Sequence, residues 1–153
     1  MTKKLIVYYL CIFLITQTLI NTVSAQESPT MDHTALYVFD LQKSTAFYKD
    51  VMQFKLVSEP FKDGKHSWFT IGPHSKLHII QGAAKVEEHD INSHFAYHVK
   101  VLKEFTDHLD KMNIRYGNWK QDSKEPTLRP DGVKQVYFKD PDNYWIEVND
   151  DKF

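Results

Sequence analysis

The sequence predicts an α+β domain built from two copies of one small unit, strand–helix–three strands (βαβββ). Three observations carry this. Apolar and polar residues alternate with period 2 in many short stretches, whereas helical spacing occurs over two longer ones. The order strand, helix, three strands is met twice. The two starts also read alike: His33-Thr34-Ala35-Leu36-Tyr37-Val38 aligns with His94-Phe95-Ala96-Tyr97-His98-Val99, sharing His, Ala and Val.

The first unit opens on a strand through Asp32–Phe39, with Thr34, Leu36 and Val38 on one face and His33, Ala35 and Tyr37 on the other. Asp40 is a natural N-cap for a helix to about Met52, with Phe47, Tyr48 and Val51 on its buried stripe. Phe54–Ser58 reads as a second strand. Asp63-Gly64 marks a hairpin turn. His66–Ile71 and Lys76–Gln81 complete the unit, and Leu77 and Ile79 oppose His78 and Ile80. A polar link, Ala83–Asn92, leads to the second unit. Its strand His94–Val99 precedes a helix from about Leu102 to Met112, with Leu102, Phe105, Leu109 and Met112 at helical spacing. Arg115–Trp119 is a weaker strand, and Gln121–Asp131, holding Pro126 and Pro130, reads as a loop. The closing stretch QVYFKDPDNYWIEVND, Gln135–Asp150, parses as strand, tight turn, strand. In its last strand Tyr144, Ile146 and Val148 share one face, and Trp145, Glu147 and Asn149 the other. A carboxylate amid apolar neighbours needs a cation, a metal or a donor beside it.

The N-terminus has the layout of a secretory signal over residues 1–25: Lys3 and Lys4, an apolar run Leu5–Ile20, then small residues Val23-Ser24-Ala25. Residues 26–30 form a polar, disordered lead-in, and 31–153 a single domain with modules about 31–82 and 93–150. The expected location is periplasmic or extracellular. The chain's one cysteine, Cys11, leaves with the signal, which excludes a disulfide, a thiol nucleophile and a thiolate ligand from the mature protein. A net charge of −1 and the lack of a basic amphipathic helix argue against nucleic acid and membrane-surface partners. The apolar run Leu5–Ile20 is shorter than the roughly 20 residues that span a bilayer, so the expectation is a cleaved signal with no stable membrane insertion afterwards, and an uncleaved anchor is the alternative.

The internal echo reaches the chemistry. Each unit offers a histidine in its first strand, His33 or His94, and a possible ligand in its last, His78 or Glu147. By parity all four could face one concave surface. Three imidazoles and a carboxylate suit Zn, Ni, Co, Mn or Fe(II) and suit Ca or Mg poorly. Tyr37, Trp68 and Trp145 share the ligands' parity as pocket walls. His98, one pleat beyond His94, either lines the pocket or is a surface residue. His66, His74, His89 and His108 read as packed or surface residues. Arg129, in the long loop, reads as a solvated cation or a contact for a substrate carboxylate.

At these residues the chain resembles the vicinal-oxygen-chelate superfamily, which includes glyoxalase I, fosfomycin-resistance proteins, extradiol dioxygenases and bleomycin-binding proteins. The matching pieces are HTALYVFDLQKSTAFYKDVMQF from His33, LHII at Leu77, HFAYHV at His94 and YFKDPDNYWIEV from Tyr137. The resemblance implies paired βαβββ modules forming a curved mixed sheet around a divalent transition metal, with helices on the convex side. It implies His33, His94 and Glu147 as ligands, with His78 at a position that is a ligand in glyoxalase I, where glutamate is usual. It further implies a homodimer, and a lyase or isomerase acting on a small substrate with vicinal oxygens, in which Glu147 moves a proton. An exported protein meets little glutathione, so a glutathione adduct is not the expected substrate. Asn143 stands where many relatives have glycine, and asparagine tolerates the left-handed conformation. Two other readings stay open: an Fe(II) extradiol-type dioxygenase using His33, His94 and Glu147, and a non-catalytic pocket for an antibiotic-like ligand.

Overall fold

The structure, a computed structural model, describes residues 27–152. The expected signal peptide, 1–25, lies outside the described residues. Residues 27–30 are exposed and without regular structure. Met31–Phe153 is one compact unit.

Its first module runs β1 (His33–Val38), α1 (Leu41–Ala46), β2 (Lys55–Val57), β3 (His66–Thr70) and β4 (Lys76–Gln81). The second runs β5 (His94–His98), α2 (Leu102–Lys111), β6 (Tyr116–Gly117), β7 (Thr127–Leu128), β8 (Lys134–Lys139) and β9 (Trp145–Asn149). The α+β class and the two βαβββ modules are as the sequence predicts. The strands divide into two mixed sheets, one per module. The first has order β1-β4-β3-β2; the second has order β5-β9-β8-β6, with β7 also paired to β8. In each, the first strand lies parallel to the last, as the intervening helix requires, and the remaining pairs are antiparallel.

Register sorts every strand into two faces. Leu36, Ile79 and Ser67 lie side by side on one face of the first sheet, and Ala35, His78 and Trp68 on the other. In the second sheet Val136 and Val148 oppose each other on the covered face, while Tyr137, Glu147 and Ala96 align on the open one. The covered faces of both sheets and the helices share one core. It holds Leu36, Val38, Phe69, Leu77 and Ile79 from the first module, and Leu109, Val136, Phe138, Ile146 and Val148 from the second. Phe47 meets Phe138 at 6.3 Å and Phe54 meets Tyr97 at 5.1 Å between ring centres, so aromatics seal the module boundary.

The DPDN turn, Asp140–Asn143, locks that boundary with polar groups. Asp140 Oδ1 accepts from the amides of Asp142 and Tyr144, each at 2.9 Å, which closes the turn. Its Oδ2 accepts from Tyr48 Oη at 2.7 Å. Asp142 reaches the other way, accepting from Ser44 Oγ at 2.7 Å and from the amide of Phe39 at 2.6 Å. Both carboxylates are buried. Burial pushes Asp140 up to about 6, against the pull of its three donors. Asn143 takes φ 66, the left-handed value this position anticipates.

Four elements differ from the sequence expectation. Asp40 caps α1 through Lys43 N (3.0 Å), but the α-helix ends at Ala46 and continues as a wide π-type turn, Phe47–Val51. Phe47, Tyr48 and Val51 are buried as expected. Met112 is 39% exposed, because Asn113 at φ 55 ends the helix there and Ile114 N returns to Leu109 O. The Arg115–Trp119 strand shrinks to Tyr116–Gly117, since Asn118 N turns to Ser123 O. The proline-bounded loop contains β7, which adds to the edge of β8.

Candidate metal centre

The open face of the first sheet carries His33, Tyr37, His66, Trp68 and His78. His33 Nδ1 meets Asp32 Oδ2 at 2.6 Å, a contact that holds the exposed Asp32 carboxyl below its usual range. A carboxylate only accepts, so the proton of neutral His33 sits on Nδ1 and Nε2 carries a lone pair. The His33 ring lies 5.1 Å from Trp68 and 6.0 Å from His78. His78 is buried against Trp68, ring to ring at 4.0 Å. Burial, followed by nearby His66 and His33, lowers its pKa and favours the neutral imidazole. Tyr37 is 54% exposed, with its ring laid over Gly82, where an added Cβ would sit 2.5 Å from Tyr37 Oη.

The open face of the second sheet carries His94, Glu147 and Trp145. His94 Nδ1 donates to the carbonyl of Ile91 at 2.7 Å, which leaves a lone pair on Nε2 in the neutral ring. That Nε2 faces Glu147 Oε2 at 3.2 Å. Glu147 is 5% exposed and is gripped from the sides: Oε2 accepts from Tyr137 Oη at 2.7 Å and Gln135 Nε2 at 3.2 Å, and Oε1 from Asn149 Nδ2 at 2.7 Å. Burial and the Glu147 carboxylate push the Tyr137 phenol well up, so it remains a donor. Trp145 lies beside His94 in register and donates Nε1–H to His89 O at 2.9 Å. His98 pairs with Asn149 at the exposed end of β5.

The four expected ligands therefore come together as two pairs. His33 and His78 sit on one sheet, His94 and Glu147 on the other. Among the described residues no group of three or more His, Cys, Asp or Glu side chains is arranged to hold an ion within one chain. The His94–Glu147 pair nonetheless has the spacing of two ligands of one borderline metal. Two donors about 2.1 Å from one ion, at roughly 90–109° to each other, stand ~3.0–3.4 Å apart, and His94 Nε2 to Glu147 Oε2 is 3.2 Å. Two acceptors facing each other in a buried site need a cation or a proton between them. His33 and His94 both have Nδ1 anchored by an oxygen, the arrangement that aims Nε2 at a metal.

Sequence reading missed Tyr137, Gln135 and Trp119. Tyr137 shares the register row of Glu147, and Trp119 stacks edge-on to Tyr137 at 5.4 Å. Parity along β8 could have found Tyr137 and Gln135. Trp119 follows the truncated β6 and gives no periodic signal. His66, read as a packed or surface residue, is packed against His78. Arg129 is paired with Asp131 (2.6 Å) and Asp151 (2.8 Å), which ties down the cation considered for a substrate carboxylate.

This fold matches a known class. The sequence pattern of the Glyoxalase/Bleomycin resistance protein/Dioxygenase superfamily covers residues 30–148, and the chain belongs to that superfamily. It is similar to the uncharacterized protein YwbC of Bacillus subtilis (strain 168), with 28% identity over 127 residues, 76% of this chain and 94% of that protein. In fold it is similar to a lactoylglutathione lyase from Agrobacterium tumefaciens, with TM-score 0.60 at 22% identity, over 81% of this chain and 94% of that one. It is likewise similar to the fosfomycin resistance protein FosX from Listeria monocytogenes, with TM-score 0.65 at 21% identity, over 83% of this chain and 97% of that one.

Proposed function

We propose that this chain is an exported, metal-dependent lyase or isomerase of the glyoxalase type, acting as a homodimer on a small substrate with vicinal oxygens. The observation that carries the reading is the close approach of His94 Nε2 and the buried Glu147 carboxylate, 3.2 Å between Nε2 and Oε2. Such an arrangement makes sense as half of a divalent ion's ligand set. The other half, His33 and His78, lies on the open face of the other sheet, so a second copy of the chain completes each site. A divalent transition metal there supplies Lewis-acid polarisation of a substrate carbonyl. The chain's own residues do the rest. Glu147 acts as the base toward the substrate proton, and Tyr137 Oη, donating to its Oε2 at 2.7 Å, holds the carboxylate in place. Trp68 offers a flat apolar wall beside His33, and Tyr37 an exposed ring farther along β1. Export rests on the basic and apolar N-terminus. Among the described residues no helix is long and apolar enough to cross a membrane.

The test is elemental analysis of the purified protein together with its mass in solution. The reading expects one transition metal per pair of half-sites in a dimer, and metal-dependent proton exchange next to the carbonyl of α-hydroxy-carbonyl substrates. A protein that takes up no Zn, Ni, Co, Mn or Fe contradicts it. Metal binding with oxygen uptake on catechols under Fe(II) would replace it by the dioxygenase.

A further inference from the structure

His78 differs from its two fellow histidines in one respect. His33 and His94 anchor Nδ1 on an oxygen, with His94 Nε2 turned to Glu147 Oε2, whereas His78 has Nε2 engaged by another imidazole. His66 Nδ1 lies 2.7 Å from His78 Nε2. Behind it, Asp63 Oδ2 faces His66 Nε2 at 3.4 Å. The two histidines stand diagonally across β3 and β4 on the open face, since His66 pairs with Ile80 and His78 with Trp68. Phe61 covers both, 4.4 Å from the His66 ring and 5.8 Å from the His78 ring. Trp68 closes the other side of His78 at 4.0 Å. Flat groups on both sides fix the plane of the ring, so the hydrogen bond decides which nitrogen is protonated.

We propose that His66, backed by Asp63, is a positioning residue that sets His78 as the Nε2–H tautomer and so makes Nδ1 the nitrogen it offers to an ion. The carboxylate favours the proton on His66 Nε2, and a neutral imidazole has one N–H only. His66 Nδ1 is then an acceptor, and His78 Nε2–H donates to it. The lone pair of His78 falls on Nδ1, which has no hydrogen-bond partner among the described residues. A carboxylate in the turn before β3 thus sets, through His66, which atom His78 offers as a ligand. The inference rests on the metal-centre reading for the role of Nδ1, and on geometry alone for the tautomer.

The experiment is a long-range 1H–15N correlation of the metal-free full-length protein at about pH 8, above the ordinary imidazole range, with zinc affinity measured by chelator competition. The wild type shows His78 as the Nε2–H tautomer. In Asp63→Asn, a change at a half-exposed surface side chain, the new amide donates to His66 Nε2. The His66 proton then moves to Nδ1 and reverses the His78 tautomer. Zinc affinity falls about 10–100-fold there and in His66→Ala. His66→Asn, with a side-chain carbonyl near the position of Nδ1, restores both. A wild-type His78 with its proton on Nδ1 overturns the inference, as does zinc affinity unchanged in D63N. A wild type with the Nε2–H tautomer but no zinc uptake contradicts the metal-centre reading and leaves the relay standing.

Discussion

Replacing Glu147 by glutamine separates a metal ligand from a structural carboxylate. In the metal-free chain Glu147 Oε2 faces the His94 lone pair at 3.2 Å and is kept there by Tyr137, Gln135 and Asn149. Glutamine places an N–H against that lone pair, and the Tyr137 hydroxyl can turn from donor to acceptor. Charge-assisted hydrogen bonds give way to neutral ones and Gln135 Nε2 loses an acceptor, so the metal-free stability falls by about 1–3 kcal/mol. The metal-bound protein behaves differently. At free zinc 100 times its dissociation constant, binding stabilises the wild type by about 2.7 kcal/mol, which raises Tm by roughly 8–12 °C for a domain of this size. A 100-fold weaker site at the same zinc concentration retains about 0.4 kcal/mol, a shift near the limit of detection. The assay is thermal unfolding of chelator-treated protein with zinc added back. A full zinc-induced rise in E147Q refutes Glu147 as a ligand. A loss of more than about 3 kcal/mol without metal would instead make the carboxylate a structural element of the sheet.

Three further outcomes follow from the same contacts. Asp140 has its pKa raised to about 6, so between about pH 4 and 6 the folded chain holds a proton that the unfolded chain releases. The stability this group contributes is therefore present at low pH and lost as pH rises through 6; relative to Asp140→Asn, the wild type loses roughly 2–3 kcal/mol across that window in urea melts. Tyr48→Phe removes the donor to Asp140 Oδ2 and destabilises by about 1–3 kcal/mol at neutral pH, with the same denaturant slope as the wild type. Arg129→Ala breaks exposed pairs with Asp131 and Asp151, costs less than about 1 kcal/mol and leaves KM unchanged; a large rise in KM would return Arg129 to the substrate site.

Much of this architecture was legible because strand parity is a strict rule. His33, Trp68, His78, His94 and Glu147 all fall on open faces, as alternation requires, and the echo of His33 in His94 gave the module boundaries. Residues whose role depends on contacts between elements were not legible. The two carboxylates of the DPDN turn read locally as turn formers, yet Asp140 and Asp142 also join the modules through Tyr48 and Ser44. His66 lies on a strand whose parity was known, but its meeting with His78 depends on the diagonal offset between β3 and β4, which sequence does not set. The strand β7 is two residues between prolines, too short for any period. Parity could place four ligands on open faces but could not say that one chain would present them as two separate pairs.

The central claim is that each metal site joins the first module of one copy to the second module of another. Mixing separately purified His33→Ala and Glu147→Ala proteins under conditions that exchange subunits, then measuring bound zinc, tests it directly. Each variant alone is deficient at every site. Random exchange makes half the dimers mixed, each with one intact site of two, so zinc binding returns to about one quarter of the wild-type level. No recovery on mixing, in a protein shown to have exchanged subunits, would contradict the shared site.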